Sequence, residues 1–343
     1  MQITFLKIKN FKSIKNLYIK DVENCLILVG KNNTGKTVVL DAIRAVTGNY
    51  KIKETDSVRK SIKGKSAPSK IQAKELEELY KDEDVKSIIC VGGGDFLLEM
   101  LPEIDFYIVK NNPKWLQGYS DPTGLLFTIT TNFDIATIYA DNFKAFGMEP
   151  WHKSLKNNLE ILKGNIVKQE SFDMYESSRT EKIIGNEGYN LDRPIMWENI
   201  NSEDVNVTGR IIGGCIDVIS ELFGTRFDKT KDFIQKYKED GIVWYFDNCE
   251  LTSEGLIRTL WKFKDNGWFE YSKGIIFGRS GLEASWYNIS FKEAVTRVLG
   301  DLNIPIIINA DIGHVAPRMT IINGAMCNII SEDGKGEISF KLE

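Results

Sequence analysis

Apolar residues alternate with lysine and asparagine from Ile3 to Ile19, the period-two pattern of short half-buried strands. Cys25 to Val29 (CLILV) is a continuous apolar run, as in a strand covered on both faces. A turn at Gly30 to Thr37 follows, and Val38 to Val46 then predicts a helix that stops at Gly48. Lys51 to Lys70 is rich in lysine, serine and aspartate, contains Pro68, and predicts a loop or poorly ordered junction. Ile71 to Lys81 has the period of a charged amphipathic helix, and Val85 to Val91 that of a buried strand ending at Gly92, Gly93 and Gly94. Phe96 to Leu101 predicts a helix and Phe106 to Val109 another strand. Trp115 and Leu116 lead into a tight turn, Gly118 to Thr123, and Leu125 to Ile129 is an apolar helical run. Later apolar strands are Val243 to Phe246 and Ile304 to Asn309. Helices alternating with apolar strands predict an α/β fold with a largely parallel sheet. Ligands in such sheets bind at the carboxyl ends of strands, where Gly92–Gly94 and Ser120 both fall.

Two stretches compete to set the function. The first, GKNNTGKT, fits G-x-x-x-x-G-K-[ST] and has the strand–loop–helix context this motif needs. Gly30 and Gly35 would let backbone N–H groups wrap phosphates, Lys36 would neutralise charge, and Thr37 would hold magnesium. The opening MQITFLKIKNFKSIKNLYI…LILVGKNNTGKT resembles the start of RecF/OLD-type P-loop ATPases. That resemblance ends near Tyr50. Such ATPases carry four apolar residues followed by Asp-Glu, whereas Val243–Asp247 is followed by Asn248, and no serine–glycine signature loop is present. The segment is therefore read either as a phosphate-binding loop with little means of hydrolysis or as a strand–helix unit filling a sheet position. ATP and magnesium are expected only if that segment is functional; otherwise no cofactor is expected.

The second stretch is Gly118-Tyr119-Ser120-Asp121-Pro122-Thr123. A strand delivers Ser120, a sharp turn exposes its Oγ, and a following helix offers N–H groups near a developing oxyanion. A serine nucleophile also needs a base and an acid to orient that base. The chain holds two histidines. His314 follows an apolar strand in the loop ADIGH, while His152 lies in a polar turn after Pro150 and is read as surface or structural.

The 343 residues are 42% hydrophobic and 27% charged, enough for a sizeable core and two domains. A net charge of −4 argues against nucleic-acid or anionic-membrane partners. Five widely spaced cysteines (Cys25, Cys90, Cys215, Cys249, Cys327) form no CxxC pair, so neither a metal site nor a disulfide framework is expected. No apolar run approaches a membrane span, and the N-terminus lacks signal-peptide features. A cytoplasmic setting follows as an expectation.

From about Lys70 onward the chain resembles the LD-carboxypeptidases, which include muramoyltetrapeptide carboxypeptidases and microcin C self-immunity peptidases. The residues that carry this are KDEDVKSIICVGGGDFLLEMLPEIDF…NPKWLQGYSDPTGLL, GRIIGGCIDVISELFGT, GIVWYFDNCEL, GWFEYSKGIIFGRS and IPIIINADIGHVAPRMTIINGA. The resemblance implies a flavodoxin/Rossmann-like parallel-sheet N-terminal domain and a C-terminal α/β domain. It implies Ser120 as nucleophile and His314, in a GH..P context, as base. The family's acid is a glutamate at the end of the strand that here reads IVWYF, and Asp247 matches it. Aspartate is one methylene shorter, about 1.5 Å; Glu250 is the alternative acid. N–H groups of Gly93, Gly94 and Asp121 would form the oxyanion hole, with Asp121 also capping the helix after Pro122.

The expected organisation is a P-loop-like segment over 1–49, a nucleophile-bearing α/β domain over 50–165, a linker or substrate loop over 166–194, and a C-terminal domain over 195–343 carrying acid and base. A cleft between the domains is the expected site. The P-loop-like segment stands where the family has its own first strand and helix. If it fills that slot, Cys25–Val29 must pair with Val85–Val91. The implied activity is hydrolysis of an amide next to a free C-terminal carboxylate. The substrate would be a muropeptide L,D bond in one branch and an aminoacyl-nucleotide in the other. A homodimer is expected.

Overall fold

The computed structural model describes residues 52–178 and 186–342, and the backbone of 5–11, 14–20 and 28–29. Gly30, Gly35, Lys36 and Thr37, with Cys25 and the expected helix Val38–Val46, lie outside the described residues. The chain forms two compact units. One takes Met1–Pro122, Asp141–Asn165 and Arg179–Asn190; the other takes Thr123–Ala140, Ile166–Ser178 and Leu191–Glu343.

In the first unit, Phe5–Phe11 and Ile14–Lys20 pair antiparallel, as their alternation predicts. Leu28–Val29, Ser87–Cys90 and Trp115–Gly118 form a parallel set, with Ser87–Cys90 in the middle and buried throughout. Leu28 pairs with Ile89 and Val29 with Cys90, so the described end of the CLILV run, Leu28–Val29, joins the sheet that leads to the glycine turn. Helix Ser69–Lys81 buries Ala73, Leu76, Leu79 and Tyr80, the three-and-four spacing of one helical face. The lysine-rich stretch before it is a folded loop. The Ser57 N–H donates to Glu75 Oε1 at 2.9 Å, and Val58 packs in a cluster with Ile89, Val91, Phe143, Phe146, Met148 and Leu155.

Two expectations fail here. Phe106–Val109 is part of a helix, Phe106–Asn111, and not a strand. Asp105 caps it by accepting the Tyr107 N–H at 3.0 Å, Tyr107 is 74% exposed, and Val109 is buried. A four-residue apolar run carries too little period to separate the two states; the sheet position goes to Trp115–Gly118. Phe96–Leu101 becomes a 3-10 turn over Leu97–Glu103. Pro102 sits inside it, and a proline that cannot donate prevents an ordinary α-helix.

The second unit is built on an eight-stranded mixed sheet. Its order is Glu198–Asn199, Ile306–Ala310, Ser272–Gly278, Ile242–Asp247, Val205–Cys215, Met326–Glu332, Lys335–Lys341 and Gln169–Glu170. Pairing is parallel from Ile306–Ala310 to Val205–Cys215, and antiparallel elsewhere. All six residues of Ile242–Asp247 are buried. Over this strand lies an aromatic stack: Trp244 on Trp268 with ring centres 5.8 Å apart, and Phe263 on Trp268 at 4.1 Å. Each ring buried contributes about 1.5–3 kcal/mol. Ser290 starts helix Phe291–Leu299 with a capping box to Glu293. Helix Thr123–Phe133 is buried along most of its length, and Thr137–Tyr139 pairs antiparallel with Ile321–Asn323.

Candidate active site

In the first unit, Ser120 follows the Trp115–Gly118 strand with φ +70°, a left-handed backbone that a serine adopts only under constraint. The constraint is local. Tyr119 N–H donates to Asn142 Oδ1 at 3.2 Å, and Asn142 Nδ2 donates back to Tyr119 O at 3.3 Å. A Cβ placed on Gly93 would lie 2.9 Å from both Cβ and Oγ of Ser120, so only glycine fits there. Asp121 Oδ2 accepts from the N–H groups of Phe96 (3.2 Å) and Leu97 (3.1 Å). That carboxylate ties the turn to the segment after the glycines. Gly93 is thus set against the serine, and Gly94 is half-buried one residue further on.

In the second unit, Asp247 ends the buried strand Ile242–Asp247, and His314 lies in the loop after Ile306–Ala310. The His314 Nδ1 and Asp247 Oδ2 are 2.6 Å apart. The His314 backbone N–H donates to Asp247 Oδ1 at 3.1 Å, and the Tyr139 hydroxyl donates to Oδ2 at 2.5 Å. Gly313 has φ +91°, and a Cβ there would lie 1.9 Å from Asp247 Oδ1. The aspartate therefore meets the histidine because the loop itself comes close. Glu250 is exposed, and its N–H donates to Asp217 Oδ1 at 2.8 Å. His152 caps helix Lys153–Leu162 by accepting the Ser154 N–H at 3.2 Å.

Burial would raise the Asp247 carboxyl. The His314 charge outweighs it, together with hydrogen bonds from the His314 ring, the Tyr139 hydroxyl and the His314 backbone, and holds it below the usual carboxylate range. Burial likewise opposes a charged His314, yet the Asp247 charge and hydrogen bond, with a hydrogen bond involving Cys249, lift the imidazole above its usual range. Burial and the Asp247 charge keep the Tyr139 phenol protonated, as a donor must be.

Several residues in this support were missed by sequence reasoning. Arg279 Nη1 and Asp311 Oδ1 form a buried ion pair at 2.7 Å, and Arg279 Nη2 donates to Pro317 O at 3.1 Å. Asp311 Oδ2 also accepts from Trp197 Nε1 at 3.1 Å. Arg318 Nε donates to the Gly313 carbonyl at 2.5 Å, and its Nη2 to His314 O at 3.4 Å. The His314 loop is thereby tied at both ends. The available signal was a charged residue immediately after a continuous apolar strand: Asp311 after Ala310 and Arg279 after Gly278.

A serine on a strained strand-to-helix turn and a buried histidine–carboxylate pair are the parts of a serine hydrolase. Comparison with known proteins gives the class. The LD-carboxypeptidase N-terminal domain matches residues 30–140, and the LD-carboxypeptidase C-terminal domain matches residues 208–329. The chain belongs to the LD-carboxypeptidase family and is a serine-type carboxypeptidase. It is 27% identical to a putative carboxypeptidase of Vibrio cholerae over 301 residues, covering 86% of each chain. It is 25% identical to the microcin C7 self-immunity protein MccF of Escherichia coli over 263 residues, 75% of this chain and 74% of that one. The crystal structure of an MccF-like protein from Bacillus anthracis has the same fold, with a TM-score of 0.77 at 21% identity, covering 95% of this chain and 98% of that one. The N-terminal match begins at Gly30, so it includes the GKNNTGKT segment. Among the described residues no helix is long and apolar enough to cross a membrane.

Proposed function

We propose that the protein hydrolyses an amide bond next to a free C-terminal carboxylate, with Ser120 as nucleophile, His314 as general base and Asp247 as the group that orients the histidine. The observation that carries this reading is the buried His314–Asp247 pair at 2.6 Å. With Nδ1 on the carboxylate, Nε2 is the ring nitrogen that takes the serine proton in this reading. Ser120 Oγ attacks the carbonyl carbon and its proton passes to His314. The tetrahedral oxyanion is held by N–H groups of Gly93, Gly94 and Asp121. The proton then goes to the leaving amine, and water resolves the acyl-enzyme by the same steps. This sequence of proton transfers needs no cofactor.

The leading substrate is a muropeptide whose L,D bond is cut to release D-alanine, during cytoplasmic peptidoglycan recycling. A second reading, an aminoacyl-nucleotide amide, is favoured by the similarity to the microcin C7 self-immunity protein over three-quarters of the chain. The test is incubation with a tetrapeptide ending in D-alanine and, in parallel, with an aminoacyl sulfamoyl adenosine, read by mass spectrometry. Ser120→Ala is expected to reduce turnover by at least about 10⁴-fold and to abolish labelling by a serine-reactive phosphonate. Normal turnover by that variant sinks the assignment of Ser120.

A further inference from the structure

The net charge of −4 hides a segregation along the chain. The first 70 residues carry 15 Lys and Arg against 5 Asp and Glu, a net +10, and the other 273 carry 29 against 43, a net −14. Among the described residues, the cationic end is densest at Ser57 to Lys74, which holds six cations and no acid. The centre of this stretch is a tight turn. The Ile62 N–H donates to Lys65 O at 2.7 Å and the Lys65 N–H to Ile62 O at 3.0 Å, with Lys63 and Gly64 at φ +46° and +90°. The turn stands on a fixed base. Val58 is buried, and the Ser57 N–H is held by Glu75. Gln72 Nε2 donates to Ser66 Oγ at 2.9 Å, which sets the turn beside the start of helix Ser69–Lys81. Ile62 is 64% exposed, and Ile71, in the first turn of that helix, is 49% exposed. Arg59 is held by Glu54, Lys65 by Glu99 and Lys74 by Glu78. Lys60, Lys63 and Lys70 are exposed, and none of them forms an ion pair among the described residues. All of these residues but Glu75, Glu54 and Glu99 lie in the one stretch, and all belong to the first unit.

We propose that this turn docks the protein peripherally on a bilayer surface rich in anionic lipid. Unpaired lysines beside exposed aliphatic side chains suit the headgroup layer. The ammonium groups of Lys60, Lys63 and Lys70 meet lipid phosphates, while Ile62 and Ile71 enter the acyl boundary. Long lysine stems let the charges stay at the phosphates as the isoleucines sink. The acidic remainder of the chain is repelled by the same surface, which favours approach through residues 57–74. A nucleic-acid surface relies on arginine forks and aromatic platforms. Here the one arginine is held by Glu54 through two bonds, at 2.6 and 2.9 Å, and the turn carries an isoleucine.

The test sediments the full-length protein with vesicles of phosphatidylglycerol and phosphatidylcholine in equal parts, and with phosphatidylcholine alone. Wild type is expected to bind the anionic vesicles only, at least about tenfold more weakly in about 0.5 M salt than in about 0.05 M. The Lys60→Ala/Lys63→Ala/Lys70→Ala variant is expected to bind at least about 30-fold more weakly, and Ile62→Ser at least about threefold. Both should keep the wild-type melting temperature and the wild-type hydrolysis of a soluble peptide, which separates docking from the hydrolytic assignment. The salt series on wild type tests the proposal without any variant. Four results overturn it: no sedimentation with the anionic vesicles, equal sedimentation with phosphatidylcholine alone, binding indifferent to salt, or folded variants that bind as wild type does. Tighter binding to a single-stranded oligonucleotide, lost in the lysine variant and kept in Ile62→Ser, would overturn it in favour of a nucleic-acid surface.

Discussion

Ser120 and His314 are each held in one position, but by different physics. Ser120 is fixed by backbone geometry: a left-handed residue at a strand end, a neighbouring amide side chain, and a glycine that leaves room for its Oγ. His314 is fixed by charge. Asp247 grips its ring and backbone, while Arg279, Asp311 and Arg318 anchor the loop on both sides. The first arrangement stores strain and the second stores desolvation. Strain is relieved by glycine, whereas an unpaired buried charge is not relieved by any small substitution.

Asp247→Asn attacks the charged side directly and has the largest expected effect after loss of Ser120 itself. Hydrolysis should fall about 10⁴-fold, because the imidazole loses the partner that sets its tautomer. The pH dependence gives a second reading. His314 is lifted above its usual range, so if it is the proposed base, activity should climb as pH rises through the lifted value. Without the aspartate charge, the acid limb should move to lower pH. Stability should run the other way. The charged pair contributes fully below the ordinary histidine range and is lost as pH rises through the raised value. The gap in melting temperature between wild type and Asp247→Asn should therefore narrow toward alkaline pH. A constant gap would show that the pair is not ionised as described.

Gly313→Ala places a methyl on the carboxylate at a position with φ +91°. Displacing the ring by about 1 Å should cost roughly 100-fold in kcat/KM, measured beside the unfolding midpoint. Tyr139→Phe is gentler. It removes one hydrogen bond to a buried carboxylate, worth about 1.5–3 kcal/mol, and should lower activity about tenfold. Ser120→Gly has the smallest effect on folding and the opposite sign. It ends catalysis but should stabilise the protein by up to about 1 kcal/mol, seen as a higher denaturant midpoint. A lower midpoint would mean that the turn is not strained, and the contrast with His314 would collapse.

The strain-held half was legible in the sequence, because glycine runs and a serine between a short strand and a helix leave a local signature. The pairing of Val29 with Cys90 meets the condition set for the P-loop-like segment to fill the first strand position. The charge-held half was legible only at His314 and Asp247. Tyr139, Arg279 and Asp311 lie far apart along the chain, and nothing within a few residues of each predicts the partner. Short apolar runs misled for a related reason. Phe106–Val109 fits either period, and the Asp105 cap decides the outcome. The bonds from the N–H groups of Phe96 and Leu97 to the Asp121 carboxylate, 25 and 24 residues apart in sequence, likewise leave no local signal.

The edge of the eight-stranded sheet bears on how the protein is made. Among the described residues, the strand Gln169–Glu170 pairs with Ile338 and Glu337 alone. On a ribosome advancing about 5–20 residues per second, the Gln169–Glu170 strand waits on the order of ten seconds or more for its partner. The central strands emerge during that interval, and their apolar faces lack their final neighbours until it ends. Nascent chains are then at their most aggregation-prone, and slower translation across this interval should reduce soluble yield.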